Sequence, residues 1–537
     1  MLKNLNLNGN KLYFSFSYFL IYSIILFLYI KNFYYLKDLF YTHHGDSAFF
    51  ADLLYRIAIF KDYNASTIFS SAYYFFEYLV KEPEAFCSIE SLSNSKKFNM
   101  YVSSHLYWIA WILSFPIRLG LDPILLSAFL IVSAYFSLIL IIIFIFFKYK
   151  VDPFLCVLLI LLVIFSWKPI IDSLYGQFYF DKFFIPLMIL FIFTHQNIIF
   201  NKKKFLILYT LGILTLSVHE RSALMLSGYI IANELFNKIQ NFRKYNFDKG
   251  LIFFSILSLF YFFIYIKFYQ DSFYSGNINF GNAIYYIKEY LTFEKRTFFL
   301  VNKLVLVCAP LFFVSIFAPK MAIISFGALI PNILFSVGGA EKIGFSTHYH
   351  TYYIPFLIAA VVLSSINFCK KNYDLKKKFI FYLIVIFMFI FNLSINVSDT
   401  KRSLKLENPK FNNNLLYSIT NKNEIYLLKL AKFKKELFQK TDLEKKSISI
   451  PESLMTGFVK TKLRVDYFPI GIYSNEFVII TKNKQKYNEY LINFPYFLNK
   501  EKYLKIHQCF SNYIEKNFEI FFKTEFGGSD YFIYKRI

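Results

Sequence analysis

Apolar runs about as long as a bilayer is thick recur through the first three quarters of the chain, with polar residues collected between them. The pattern predicts spans near residues 12–30, 122–147, 153–168, 183–195, 205–218, 223–236, 250–267, 298–317, 321–338, 352–368 and 378–396, about 11 transmembrane helices in all. Only Lys3 and Lys11 precede the first run, and Tyr and Phe continue it to Tyr35 instead of small residues, so it reads as an uncleaved anchor. One long gap, residues 31–121, breaks the series. Within it, Phe49, Phe50, Leu53, Leu54 and Ile57 fall on one helical face, while Asp52 and Arg56 share the other at i, i+4 spacing. That pattern predicts a helix lying on the membrane. Similar interfacial segments are expected at 67–80 and 105–119, the latter carrying Trp108 and Trp111.

From about residue 397 the pattern changes. Asn423 to Lys440 has helical periodicity, and SISIP, RVDYF, EFVIITK, FEIFF and DYFIYKR read as short strands, with a helical piece near Tyr503 to Glu515. The expected architecture is therefore an α-helical polytopic membrane domain, residues 1–396, followed by an α/β domain, residues 397–537. Gly527-Gly528 is followed by no helical pattern, which argues against a phosphate-binding glycine loop.

Composition agrees. A mean hydropathy of +0.43, with 56% hydrophobic and 22% aromatic residues, excludes an ordinary soluble protein. The net charge of +24 suggests nucleic acid at first sight. Much of the excess, however, sits in alternate short loops: Lys148 and Lys150, Lys202 to Lys204, Lys238 to Lys249, and Lys370 to Lys377. The acids among them are Asp152, Asp248 and Asp374. By the positive-inside rule these loops are cytoplasmic, which puts the N-terminus inside and the tail outside a bacterial inner membrane. No nucleic-acid partner is implied. The five cysteines show no metal-type CxxC spacing, and only Cys87 and Cys509 would share the oxidising side.

On this topology six of the eight histidines fall at the outer face. The stretch YTHHGDSAFF places His43, His44 and Asp46 just past the first span. His105 ends the same loop, His219, Glu220 and Arg221 fill a tight hairpin, and Lys342, His348, Tyr349 and His350 precede a late span. Ionisable groups at membrane depth are costly and usually functional.

A single span followed by an outer loop of interfacial helices with an acid near its start resembles the GT-C class of integral-membrane glycosyltransferases. Within that class the motifs GDSAFF, SSH, HERSAL and HYHTYYIP are most similar to a family of bacterial membrane proteins without an assigned function. The resemblance implies a GT-C-like fold and transfer of a sugar from a polyprenyl-phosphate carrier to an envelope acceptor, with Asp46 as the catalytic carboxylate. Two departures stand out: no DxD or ExD pair follows the first span, and Arg221 occupies the hairpin where a second acid is expected.

Inverting displacement at an anomeric carbon needs one base and a way to stabilise the departing phosphate. Asp46 suits the first role. His43, His44, His105, Glu220, Arg221, Lys342, His348, Tyr349 and His350 are the candidates for donor phosphate or substrate binding, Arg221 for its planar fork. Each has a structural alternative. Asp46 suits a helix N-cap, Glu220 and Arg221 can pair with each other, and the remaining histidines suit the interface. A divalent metal on Asp46, His348 and His350 also stays open, although no cofactor is required. The expected partners are the lipid-linked sugar, membrane lipids and an acceptor that the sequence does not identify. Two other functions fit the same pattern: a transporter or flippase of a lipid-linked glycan, and a non-catalytic envelope assembly protein.

Overall fold

The computed structural model describes residues 2–40, 45–61, 107–175, 178–199, 204–240, 246–268, 295–334, 348–371, 373–404, 423–441, 446–459, 465–467, 475–483, 511–526 and 529–537, with a few isolated positions. Its helices are α1 (Leu2–Leu39), α2 (Gly45–Phe60), α3 (Ile109–Leu113), α4 (Phe115–Arg118), α5 (Pro123–Lys148), α6 (Pro153–Ile160), α7 (Lys168–Tyr175), α8 (Phe184–His195), α9 (Lys204–Val218), α10 (Glu220–Gln240), α11 (Lys249–Phe268), α12 (Lys295–Val314), α13 (Pro319–Leu334), α14 (Ile354–Lys370), α15 (Leu375–Leu404) and α16 (Asn423–Thr441). The runs expected to span are helical over most of their described residues, although the 153–168 run has a π-helical turn at Leu161–Ser166 and is extended at Trp167.

Among the described residues, five segments are both long and apolar enough to cross a membrane: Tyr13–Tyr34, Pro123–Lys148, Lys249–Phe268, His350–Lys370 and Leu375–Ile395. Five shorter apolar helices accompany them. The segment leading into and along α14 is 89% buried, against 11% for α1 and 17% for α15, so α14 is a central helix and the other two are peripheral. Helices α8, α12 and α13 pack around α14. On α1 and α15, Phe16, Phe19, Phe27, Phe379 and Phe387 are exposed, a surface suited to lipid rather than water.

Local sequence explains the helix boundaries. Asp122 accepts from the amides of Ile124 (2.8 Å) and Leu125 (3.1 Å) at the start of α5. Asp152, Asp248 and Asp374 do the same for α6, α11 and α15 through Leu155, Leu251 and Lys377. The acids of the lysine-rich loops are thus N-caps. Lys150 and Asn197, with φ of 51° and 56°, turn the chain after α5 and α8 in the left-handed conformation that ends many helices.

A polar clamp joins the end of α8 to α10. The phenol of Tyr229 lies 3.2 Å from His195 Nδ1, Gln196 donates to Asn233 (2.6 Å), and Glu234 lies 3.7 Å from His195 Nε2 while accepting the amide of Asp248 (3.0 Å).

Contacts divide the chain into two compact units, residues 1–33, 106–109 and 130–421, and residues 34–105, 110–129 and 422–537. In the second unit, β1 (Ile448–Ile450), β2 (Val465–Tyr467), β3 (Phe477–Asn483), β4 (Phe518–Phe526) and β5 (Ser529–Arg536) form one sheet in the order β2-β1-β3-β5-β4. The β1 pairs are parallel, whereas β3–β5 and β4–β5 are antiparallel. Each strand-like run of the tail is a strand, and β5 follows Gly527-Gly528 directly. Helix α16 covers the sheet through Phe433, whose ring lies 4.8 Å from Phe526 and 5.1 Å from Tyr531.

Helix α2 departs from expectation. It was expected to lie on the membrane, yet protein encloses it on both faces: Ser47 through Leu54 are buried, and Asp52, on the expected polar face, is buried with its carboxylate 2.8 Å from Arg56 Nε. The i, i+4 pair is present, but inside the protein rather than in water. The proposed helix at 67–80 lies outside the described residues. The 105–119 segment is broken into α3 and α4, with Trp108 and Trp111 about half exposed.

Two predictions follow from the second unit. A Cβ at Gly457 would lie 1.5 Å from the buried ring of Phe438, so Gly457→Ala should destabilise this unit by about 1–3 kcal/mol, measured by thermal unfolding in detergent. Lys434 lies on the buried stripe of α16, and burial pulls its ammonium down to about 7 from 10.5. The unfolded chain then binds a proton that the folded chain lacks between these values, so stability should rise with pH across that window. Lys434→Met should abolish the rise, and an unchanged pH slope would refute the assignment.

Candidate functional site

Three connections of the first unit converge on one imidazole. The 3-10 turn Phe180–Phe183 leads into α8, His219 stands between α9 and α10, and the 3-10 turn His348–Tyr352 leads into α14. The first of these turns packs against the last and against α9.

His219 is fully enclosed, as is Asp181, while Glu220 is 2% exposed. Asp181 Oδ1 lies 3.7 Å from His219 Nε2, and Glu220 Oε2 lies 3.1 Å from Nδ1. The phenol of Tyr352 donates to Asp181 Oδ1 in a short hydrogen bond. Tyr107 meets the imidazole edge-on, with 5.2 Å between ring centroids, and Tyr352 flanks it at 5.8 Å. Burial first, and then the charges of Asp181 and Glu220, hold the Tyr107 phenol well above its usual range, so it stays neutral.

Two contacts compete for His219 Nδ1. The backbone amide of Arg221 donates to it at 3.0 Å, which makes it an acceptor and gives His219 the role of N-cap for α10. The carboxylate of Glu220 at 3.1 Å requires instead a proton between the two atoms. One neutral imidazole and one ionised carboxylate cannot satisfy both. His219 Nδ1 is thus approached by two groups of the first turn of α10. Arg221, on the first turn of α10, is only partly buried, and its charge acts on the Tyr107 and Tyr352 phenols.

The sequence candidates are distributed as follows. Glu220 and Arg221 are in the cluster. His350 is buried beside it in sequence, its Nδ1 3.2 Å from the Tyr353 hydroxyl, and the Tyr353 ring packs edge-on to Trp167 at 6.5 Å. Tyr353 is fully buried and serves packing. Asp46 falls in the first turn of α2. His348 and Tyr349 fall in the 3-10 turn before α14. The side chains of these three lie outside the described residues, as do His43, His44, His105 and Lys342 entirely. Among the described residues no three His, Cys, Asp or Glu side chains form a metal site.

Sequence reasoning missed Asp181. Its signal was an acid in FDKF, between two apolar runs, in a segment with no motif to mark it. Its partner Tyr352 is 171 residues away.

No protein-family model matches the chain, and no curated protein matches it in sequence.

Removing the imidazole would leave two buried carboxylates without the group that separates them. His219→Ala should therefore cost about 3–5 kcal/mol. Tyr352→Phe, which removes only a donor, should cost about 1–3 kcal/mol. Equal, small losses in thermal unfolding of the purified protein would mean the cluster is not held by His219.

Proposed function

We propose that the chain is a membrane glycosyltransferase that moves a sugar from a polyprenyl-phosphate carrier to an envelope acceptor at the extracytoplasmic face, with inversion. The observation that carries this reading is the convergence of Asp181, His219, Glu220 and Arg221 from separate connections at one end of the helices. The GT-C resemblance of GDSAFF, SSH, HERSAL and HYHTYYIP supports it.

In the proposed reaction an acceptor hydroxyl oxygen attacks the anomeric carbon. The bond from that carbon to the phosphate oxygen breaks, its electron pair leaves with the polyprenyl phosphate, and the hydroxyl proton passes to Asp46. Arg221 meets the departing phosphate, helped by the positive end of α10. Asp181, His219, Glu220 and Tyr352 act through Arg221 by fixing the first turn of α10. They are positioning residues, because a fully enclosed imidazole has no surface to offer a substrate. No metal is needed for this route, though a divalent ion on Asp46, His348 and His350 would serve the same end.

A second reading also has an observation in its favour. A histidine between two buried carboxylates suits a proton relay, as in a transporter of a lipid-linked glycan.

The test is turnover of polyprenyl-phosphate sugars by the purified protein in proteoliposomes, alongside movement of the same lipid between leaflets. Asp46→Asn should lower kcat by about 10²–10⁴-fold with donor still bound. Arg221→Lys should lose the bidentate contact and raise the donor KM by roughly 10-fold. Donor movement without transfer would sink the transferase reading and favour the transporter.

A further inference from the structure

Helix α2, which carries Asp46 in its first turn, packs against the 3-10 segment Glu452–Phe458 of the tail and against α4. These elements belong to one compact unit, although α2 and the 3-10 segment are separated by most of the chain. The segment is built for such packing. Leu454, Met455, Thr456 and Phe458 are all buried, and Gly457 admits the ring of Phe438, 4.3 Å from that of Phe458, so α16 locks the segment from the sheet side. On α2 the matching surface is apolar and small-to-large, with Ala48, Phe49, Phe50, Ala51, Leu53 and Leu54 all enclosed. Asp52 is buried and paired within the helix with Arg56 at 2.8 Å, so its charge is met inside α2.

We propose that the C-terminal domain is a positioning domain for Asp46: its 3-10 segment holds α2, and α2 sets where the catalytic carboxylate stands. Leu454 and Met455 are positioning residues, not catalytic ones. The proposal rests on the transferase reading and adds to it a role for the tail. A base displaced by about 1 Å loses on the order of 10²-fold in rate, so a loosened α2 must show in kcat before it shows in donor binding.

The experiment uses the full chain in detergent or nanodiscs with Leu454→Ala, Met455→Ala and Met455→Leu. Hydrogen exchange of the α2 amides is read beside that of α5 and α14, and kcat and KM are measured with the polyprenyl-phosphate sugar on which the wild type turns over. The expected result is faster exchange confined to α2, kcat lower by about 10–100-fold, an unchanged donor KM, and recovery of both readouts in Met455→Leu. Unchanged α2 exchange in both alanine variants would overturn the docking. Faster exchange with unaltered kcat would overturn the positioning role. Exchange rising equally in α5 and α14 would mean general unfolding and count against a specific contact. A wild type inactive on every donor would remove the transferase reading and the positioning of a base with it, while α2 exchange would still decide whether the tail holds the helix.

Discussion

One imidazole held between two carboxylates organises one end of the first unit. Asp181, His219 and Glu220 come from two connections, Tyr352 from a third, and all lie where water is excluded. A lone charge there would be prohibitively costly, so each member is tolerable only because the others are in place. His219 Nδ1 caps α10 through the Arg221 amide, and the helix cannot shift without disturbing the ionisable group.

The C-terminal end of α8 is tied to the middle of α10 by a different chemistry. There His195 and Glu234 are joined by Tyr229, Gln196 and Asn233, mostly neutral partners that fulfil ordinary hydrogen bonds. The 3-10 turn bearing Asp181 leads into α8 and Glu220 starts α10, so each acid stands at the entry to a helix.

Much of this was legible in the sequence because it depends on local periodicity. Apolar runs at bilayer length became helices, the alternating tail runs became the five strands, and the Asp52–Arg56 spacing became an ion pair. The lysine-rich loops also held their acids for a readable reason, since Asp152 precedes Pro153 at a helix start. What periodicity does not contain is which surface meets which. Helix α2 has an amphipathic pattern that fits a membrane surface and a protein interior equally well, and only the distant Glu452–Phe458 segment decides between them. Lys434 sits on an apolar stripe with Ala431 and Phe438, yet its position reads as solvated until the sheet covers it. Asp181 was hidden for the same reason: its meaning lies in residues far along the chain.

Charge balance separates the roles at the candidate site. Two carboxylates face one imidazole and one guanidinium, so the cluster as a whole offers an anion no net attraction. Under the proposed transferase reading a phosphate would be received at Arg221, where the first turn of α10 adds partial positive charge. The acids hold the hairpin, with Asp181 fixed by Tyr352 and Glu220 set against His219. In the proposed transfer a departing phosphate needs a cation that does not have to reorganise as charge develops, and the buried cluster beside the first turn of α10 would keep Arg221 in place.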